Sequence, residues 1–180
     1  HDVQIIEDAA YAFLVENSPP PLAELAPERT VYVSGLSKSV AAGLRIGFIA
    51  APASMIAGLE RMIRVTAWNT PGVMTSIAAG WLDDGTVSQL ERQKRQDAQA
   101  RQIIAGEVLS GIPVVRHPFS YFVWLPLPED ARADQVVTTL MREQVSVSTA
   151  QPFTTSAHVP HAIRLALGSV DMATLRMALA

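Results

Sequence analysis

The chain has 180 residues, of which 49% are apolar and 17% are charged, so it can bury a substantial hydrophobic core. Its formal net charge of −3 gives no electrostatic reason for this segment to bind nucleic acid or an anionic membrane directly. The sequence contains no cysteine, which excludes disulfides and thiolate metal sites. No apolar run approaches the roughly 18–20 residues of a membrane span, and no signal-peptide pattern is present, so we expect a cytoplasmic protein.

Lysine is rare in this sequence. Of the 14 basic residues, only Lys38 and Lys94 are lysines. Lys94 lies in a charged helical segment, residues 89–97, where we expect it to face solvent. Lys38 instead follows an apolar strand and precedes a glycine-containing turn, which is an unusual place for a solvated charge. This contrast singles out Lys38 as a candidate functional residue.

The first part of the chain alternates short apolar strands with helices. The predicted strands are 2–8, 30–34 and 46–51. The last two are apolar and β-branched, as expected for strands covered on both faces. A proline-rich segment, 17–29, is predicted to be a loop. The predicted helices are 53–64, 71–83 and 87–109. Because three short strands leave sheet edges uncovered, we expect this part to belong to a larger sheet.

The pattern changes near Gly111. The predicted strands beyond it are 113–116, 121–125, 145–148 and 162–167. The predicted helices are 133–143 and a closing helix that begins at Asp171. This spacing is typical of a small α+β layer. We therefore place a domain boundary within the long helix, with residues 1–90 in a first domain and 91–180 in a second.

The segment with the strongest chemical signal is residues 32–47, which read YVSGLSKSVAAGLRIG. It places Lys38 just after a strand, with hydroxyl side chains beside it and Arg45 seven residues later. A phosphorylated aldehyde would need these groups: an amine to react with the aldehyde, and hydroxyls and a guanidinium to hold the phosphate dianion. A plain strand and turn, with a lysine whose stem is buried, is the alternative. The spacing alone leaves both interpretations open.

This stretch resembles the Schiff-base motif of class I and II aminotransferases, Ser/Thr-x-Ser-Lys followed by Ala-Pro-Gly-Leu-Arg-x-Gly. The resemblance implies pyridoxal 5′-phosphate (PLP) as the cofactor, with Lys38 as the residue that forms the Schiff base. It also implies that Ser37 and Arg45 contact the cofactor phosphate.

Two positions of the motif depart from the family pattern. Gly35 stands where Ser or Thr is usual, which removes one expected phosphate contact. Ser34, one place earlier, offers a hydroxyl that can compensate, so we count it among the predicted cofactor-binding residues. Ala42 stands where proline is usual, and this change concerns only the rigidity of the loop.

A second match is Asp8-Ala9-Ala10-Tyr11, which fits the Asp-x-x-Tyr of the family at the carboxyl end of a strand, where α/β folds place ligands. The resemblance implies that Asp8 pairs with the pyridine nitrogen and keeps it protonated, so that the ring acts as an electron sink. It implies that Tyr11 hydrogen-bonds to the phenolic oxygen. An acid at a strand end is by itself more often a cap or loop residue. Its place 30 residues before Lys38 makes the match informative.

A third match is Arg164, a lone charge in an otherwise apolar strand. This placement is costly unless the arginine meets an anion. In the family, an arginine at this place holds the α-carboxylate of the substrate in a bidentate pair. The alternative is an edge-strand arginine that faces water. With the other matches, the resemblance implies that Arg164 binds substrate.

The remaining candidate residues are predicted to be structural. His158 and His161 lack a third ligand, so no metal site is predicted. Trp68 is interpreted as a core or subunit-interface residue, and Trp81 as a core residue. The arginine- and glutamine-rich helix face from 91 to 101 is predicted to be solvated.

The resemblance covers residues 5–175 and implies an α/β fold: part of the large domain of a fold-type-I PLP transferase, followed by a small α+β C-terminal domain. It is closest to the aminotransferase-like domain of MocR-type GntR transcriptional regulators, and the segments 6–14, 21–30 and 121–128 carry this similarity. In such regulators a winged-helix DNA-binding domain precedes the PLP domain. We therefore expect this chain to be the C-terminal half of a PLP domain, without the winged helix and the phosphate-binding loop.

Three hypotheses for function remain open from the sequence. In the first, which we favour, the chain is part of a PLP-binding sensor domain, in which exchange of the Schiff-base partner at Lys38 is a signal and not a catalytic turnover. In the second, it is a fragment of an amino-acid aminotransferase. In the third, it serves only for dimerisation, and the lysine motif is vestigial. The expected partners are an amino acid or amine as substrate or effector and a second copy in a homodimer. We expect DNA binding only through the winged-helix domain, and we expect no membrane partner. We expect the 180 residues alone to bind PLP weakly or not at all.

Overall fold

The structure, a computed structural model, describes residues 3–180 and divides the chain into two units, His1–Arg95 and Gln96–Ala180. The division falls inside α5 (Thr86–Val108), a long helix that contributes residues to both units. Among residues 3–180, no helix combines the length and the apolar character needed to cross a membrane.

The first unit contains a three-stranded sheet in the order β1-β2-β3. Its strands are β1 (Ile5–Asp8), β2 (Thr30–Gly35) and β3 (Gly47–Ala50). β1 pairs parallel with β2, and β2 pairs antiparallel with β3. The later two predicted strands are confirmed, and the first is confirmed from Ile5 onward, whereas Val3 and Gln4 lie before the strand. Its predicted start at Asp2 lies outside the described residues.

Two expectations for this unit are wrong. β3 is not covered on both faces, since all four of its residues are exposed. The predicted loop 17–29 contains a short helix, α1 (Leu22–Leu25). It forms because the Glu7 carboxylate accepts hydrogen bonds from the first backbone amides of this helix, at 3.1 and 3.0 Å. These amides have no partner within a helix.

The helices of the first unit connect the predicted lysine motif to its core. α3 (Ala53–Thr66), α4 (Gly72–Asp83) and α5 confirm the three predicted helices. The short helix α2 (Leu36–Ser39), which carries Lys38, was not predicted. The buried core cluster is Leu36, Leu44, Ile46, Ala78 and Val87. Apolar residues on both sides of Lys38 are thus buried against α4 and α5, and this packing anchors the lysine motif to the core.

The second unit contains an antiparallel four-stranded sheet in the order β4-β5-β7-β6. Its elements are β4 (Val115–Arg116), β5 (Phe122–Pro126), α6 (Ala133–Arg142), β6 (Ser148–Thr149), β7 (Ala162–Ala166) and α7 (Met172–Leu179). Asp171 caps α7 by accepting hydrogen bonds from two of its amides, each at 2.9 Å. The predicted strand 145–148 is mostly wrong, because Val145 N donates to Leu140 O at 2.8 Å and thus belongs to the turn that ends α6.

Arg101 of α5 connects several parts of the second unit. The prediction that this helix face is solvated is wrong here, since Arg101 is buried. Its guanidinium donates to Leu167 O and Val170 O, both at 2.6 Å, and to the Asp97 carboxylate at 2.8 Å. Asp97 also accepts a hydrogen bond from the Tyr121 hydroxyl at 2.9 Å. Burial raises the pKa of Tyr121 well above its ordinary value, and the hydrogen bond to Asp97 is the second largest cause of this increase.

Replacing Arg101 with Met should lower the free energy of unfolding by about 2–4 kcal/mol, because two carbonyls and Asp97 would lose a charged donor. Urea unfolding followed by circular dichroism measures this change. Arg92→Met is the matched control, since Arg92 is exposed on the same helix. We expect it to change stability by less than about 0.5 kcal/mol. Equal effects of the two substitutions would contradict the role of Arg101.

Candidate functional site

The parallel pairing of β1 with β2 brings two predicted site segments to one edge of the sheet. Asp8, the last residue of β1, is in register with Val33 of β2. Just beyond the paired strands, Ala9 N donates to Val33 O at 2.8 Å, and Ser34 Oγ donates to Ala9 O at 3.4 Å. The chain then enters α2 and reaches Lys38. Asp8, the acid of the second match, and the lysine motif therefore lie side by side.

A cavity of about 270 Å³ lies at this edge of the sheet. Its lining includes five of the six predicted cofactor-binding residues: Asp8, Ser34, Ser37, Lys38 and Arg45. The sixth, Tyr11, lies beside it, with Lys38 Nζ 5.8 Å from the centroid of its ring. The sequence thus identified a set of side chains that the first unit places in one neighbourhood.

Asp8 is exposed at the end of its strand and uses one oxygen for local structure. Its Oδ1 accepts a hydrogen bond from Ala10 N at 3.0 Å, which fixes the turn that leads to Tyr11. Within residues 3–180, Oδ2 has no hydrogen-bond partner. The second oxygen of this carboxylate is therefore available to a ligand.

Gly35 allows β2 and the start of β3 to approach closely where α2 begins. A Cβ atom at this position would lie 2.6 Å from Ile46 O. Leu36 N donates to the same oxygen at 3.0 Å, so the two backbones are joined there. The hydroxyl residue usual in the family at this place is excluded by this contact. Ser34 lines the cavity, and its role at the phosphate stays a prediction.

Arg45 follows a short 3-10 turn, Ala42–Leu44, and has a left-handed backbone with φ of 51°. Such a conformation is uncommon for a residue other than glycine and marks a sharp change of chain direction. Leu44 before it and Ile46 after it are both buried in the core. The exposed guanidinium of Arg45 thus extends from a backbone that is anchored on both sides.

Lys94 is the residue near this site that the sequence analysis missed. It does not simply face solvent: Nζ donates to Lys38 O at 2.7 Å. The next residue, Arg95, donates to Phe13 O at 2.7 Å and pairs with Glu16 at 2.9 Å. The rarity of lysine was a signal that could have indicated this, because both lysines of the chain lie at one place.

Arg164 belongs to the second unit and is half-buried in β7. The alternative of an edge-strand arginine is wrong, since β7 lies between β5 and β6. Its guanidinium carbon lies 4.6 Å from the ring centroid of Phe122 and 4.3 Å from that of Phe153. These contacts are cation–π interactions. Its buried Nε has no hydrogen-bond partner among the described residues, so this donor is unsatisfied.

The predictions for the two tryptophans differ in outcome. Trp68 is not a core residue of this chain, because it is 76% exposed. Trp81 packs against the core cluster of the first unit, as predicted. Within the described part of the chain, no group of three His, Asp or Glu side chains is arranged to hold a metal ion.

Comparison with known proteins places this geometry in a family. The family model "Aminotransferase class I and II" matches residues 1–180. The HTH-type transcriptional regulator YdeF of Bacillus subtilis is 24% identical over 93% of this chain and 36% of its own length. The 2-aminoadipate transaminase of Thermus thermophilus is 27% identical over 93% of this chain and 45% of its own length.

A solved structure gives the same fold. The α-aminoadipate aminotransferase LysN of Thermus thermophilus, complexed with N-(5′-phosphopyridoxyl)-L-leucine, matches with a TM-score of 0.86 at 23% identity. The match covers 98% of this chain and 48% of LysN. The chain thus spans less than half the length of these relatives.

The fold is that of part of an aminotransferase of class I and II. The chain belongs to the aminotransferase class I and II family. The predicted α/β fold, as part of the large domain of such a protein, is confirmed.

Family membership implies PLP as the cofactor, and the residues at the cavity fit it. The donor set provides an amine for the aldehyde, a hydroxyl and a guanidinium for the phosphate, and a carboxylate for the ring nitrogen. These groups belong to Lys38, Ser37, Arg45 and Asp8. The free Oδ2 of Asp8 is consistent with this use.

Gly35→Ser should destabilise the protein by about 1–3 kcal/mol without strengthening PLP binding, because its Cβ would overlap Ile46 O. Urea unfolding and PLP titration measure the two effects. Gly43→Ser is the control in the same motif, since a Cβ at Gly43 meets nothing within 4 Å. Tighter PLP binding by the Gly35 variant at unchanged stability would contradict this steric explanation.

Proposed function

We propose that this chain is the C-terminal portion of a PLP-binding, aminotransferase-like effector domain of a GntR/MocR-type transcriptional regulator. The clustering of Lys38, Asp8, Ser37 and Arg45 at one sheet edge supports the PLP-binding part. Most of the curated relatives are named as HTH-type transcriptional regulators, which supports the regulatory part. The cytoplasmic location stays a prediction.

The candidate site residues of the first unit contact different parts of the cofactor in this proposal. Lys38 provides the amine that attaches the cofactor, and Ser37 and Arg45 hold the phosphate. Asp8 provides a negative charge that keeps the ring nitrogen protonated, while Tyr11 hydrogen-bonds to the phenolic oxygen. PLP, when bound, supplies an electron sink for the carbon atoms of an amine substrate.

Arg164 is proposed to bind the carboxylate of the amino-acid substrate or effector. Its unsatisfied Nε supports this role, because a buried donor without a partner is costly until a ligand satisfies it. The rings of Phe122 and Phe153 hold the guanidinium without using its donors. The arginine is therefore oriented in advance for a bidentate pair with a carboxylate.

The second candidate function is that of an amino-acid aminotransferase. The similarity to 2-aminoadipate transaminase favours it, since that relative matches over nearly the same share of this chain as the regulator does. The two functions predict different results for the full-length protein. A regulator binds DNA and changes that binding when an amino acid or PLP is added. An aminotransferase converts an amino acid to its keto acid with multiple turnovers.

The proposed assembly is a homodimer. Large apolar side chains are exposed on β3, α3 and α4 of the first unit, namely Ile49, Ile63, Val65, Val73 and Leu82. Exposed apolar surface of this kind favours association. DNA is proposed as a partner only through a winged-helix domain, and no membrane partner is proposed.

Lys38→Ala in the full-length protein should abolish covalent attachment of PLP. Borohydride reduction followed by mass spectrometry measures the attached cofactor. Lys94→Arg is the control: it removes the other lysine of the chain but keeps the charge, and attachment should persist. A reduced PLP adduct on the Lys38→Ala variant would overturn the assignment.

Asp8→Asn should keep covalent attachment but weaken PLP binding by about tenfold or more, since asparagine lacks the charge that stabilises the protonated ring. It should also suppress the transamination half-reaction if the parent protein performs one. PLP titration measures the affinity in either case. Glu24→Gln, an exposed acid on α1, should leave the affinity unchanged. Parental affinity in the Asp8 variant would contradict the ring-nitrogen role.

A further inference from the structure

Helix α5 directs two adjacent cations at the two segments that carry the predicted PLP-binding residues. Lys94 Nζ donates to Lys38 O at 2.7 Å. Arg95 donates to Phe13 O at 2.7 Å and pairs with the Glu16 carboxylate at 2.9 Å. Consecutive residues of an α-helix point in directions about 100° apart, so each can reach a different segment. All of these contacts lie within the first unit.

The Lys94 contact restrains the backbone of Lys38 itself. The last carbonyls of a helix lack partners within it, and α2 is only four residues long. The amides of Val40 and Ala41 both donate to Leu36 O, at 2.9 and 3.0 Å, rather than to Lys38 O. The ammonium of Lys94 provides a charge-assisted hydrogen bond to Lys38 O instead. This bond fixes the peptide plane next to the carbon from which the Lys38 side chain extends.

The Arg95 contact restrains the turn that follows Asp8. Its side chain is only 17% exposed, so both of its contacts are shielded from solvent on the arginine side. Phe13 lies in the 3-10 turn Ala12–Leu14, which begins directly after Tyr11. The two restrained segments meet at the site, where Lys38 Nζ lies 5.8 Å from the ring centroid of Tyr11.

We propose that Lys94 and Arg95 are positioning residues of the PLP site: Lys94 sets the Lys38 amine, and Arg95 sets the segment of Asp8 and Tyr11. This inference rests on the proposed attachment of PLP to Lys38. It assigns different effects to the two cations. Loss of Lys94 misplaces the reacting amine, whereas loss of Arg95 misplaces groups that recognise the ring.

Two ligands separate these effects in the full-length protein. PLP reports covalent attachment, through its rate and its reduced adduct. Pyridoxine 5′-phosphate has the same ring and phosphate but no aldehyde, so it reports recognition without attachment. Lys94→Met should slow attachment of PLP about tenfold, the size expected for one lost charge-assisted hydrogen bond, with pyridoxine 5′-phosphate affinity within about twofold of the parent. Arg95→Gln should weaken the binding of both ligands about tenfold.

The controls test positioning against a general loss of structure. Lys94→Arg keeps a cationic donor and should restore the attachment rate, and Gln93→Met, an exposed neighbour on α5, should behave as the parent. Parental attachment by Lys94→Met, or an equal loss for both ligands together with a lower melting temperature, would overturn the role of Lys94. Unchanged binding of both ligands by Arg95→Gln would overturn that of Arg95. Failure of the parent itself to attach PLP would overturn the proposed function, and this inference with it.

Discussion

The parallel pairing of β1 with β2 is the constraint on which the site depends. Parallel strands end at the same edge of a sheet, so the residues that follow them share one space. Asp8 ends β1 in register with Val33, and the lysine motif begins where β2 ends. Although Asp8 and Lys38 are 30 residues apart in sequence, this pairing makes them neighbours. A one-residue slip of the register would turn the side chains of β1 to the opposite face.

Cations of α5 that bind backbone carbonyls recur in both units. In the first unit, Lys94 and Arg95 bind carbonyls of the two site segments. In the second unit, Arg101 binds the carbonyls of Leu167 and Val170, just beyond β7. A charged donor satisfies carbonyls that no helix or strand can pair, and such bonds are stronger than those between neutral groups. Lys94, Arg95 and Arg101 thus bind backbone carbonyls, whereas Arg92 of the same helix is exposed.

Arg164 shows a different way to hold a cation in a sheet. Its strand is internal, so water does not solvate it as it would at an edge. Two aromatic rings contact the guanidinium instead, and the buried Nε has no hydrogen-bond partner within residues 3–180. Rings stabilise the charge without occupying its hydrogen-bond donors. This arrangement keeps a binding group ready for an anionic ligand, which fits the proposed role in binding a carboxylate.

Local sequence features predicted most of the elements and the chemistry of the site. Apolar periodicity predicted the long helices and the strands around Lys38, although all four residues of β3 are exposed in this chain. Motif spacing gave the amine, the guanidinium and the carboxylate of the cavity. One error arose where a distant partner decides the local structure: the segment 17–29 forms a helical turn because Glu7 caps it. Another arose at a helix end, where Val145 N donates back to Leu140 O and belongs to the turn that ends α6 rather than to a strand.

What the sequence by itself determined is the family, the α/β fold and the set of candidate site residues, because these depend on residue types at fixed spacing. Only the tertiary structure decided how they are supported. It placed Lys94 on Lys38 O, Arg101 among carbonyls and Arg164 between two rings. A charged side chain on a polar helix face, or in an apolar strand, has the same local pattern whether it meets water or a carbonyl. The difference lies in contacts between residues far apart in sequence, which exist only after the chain has folded.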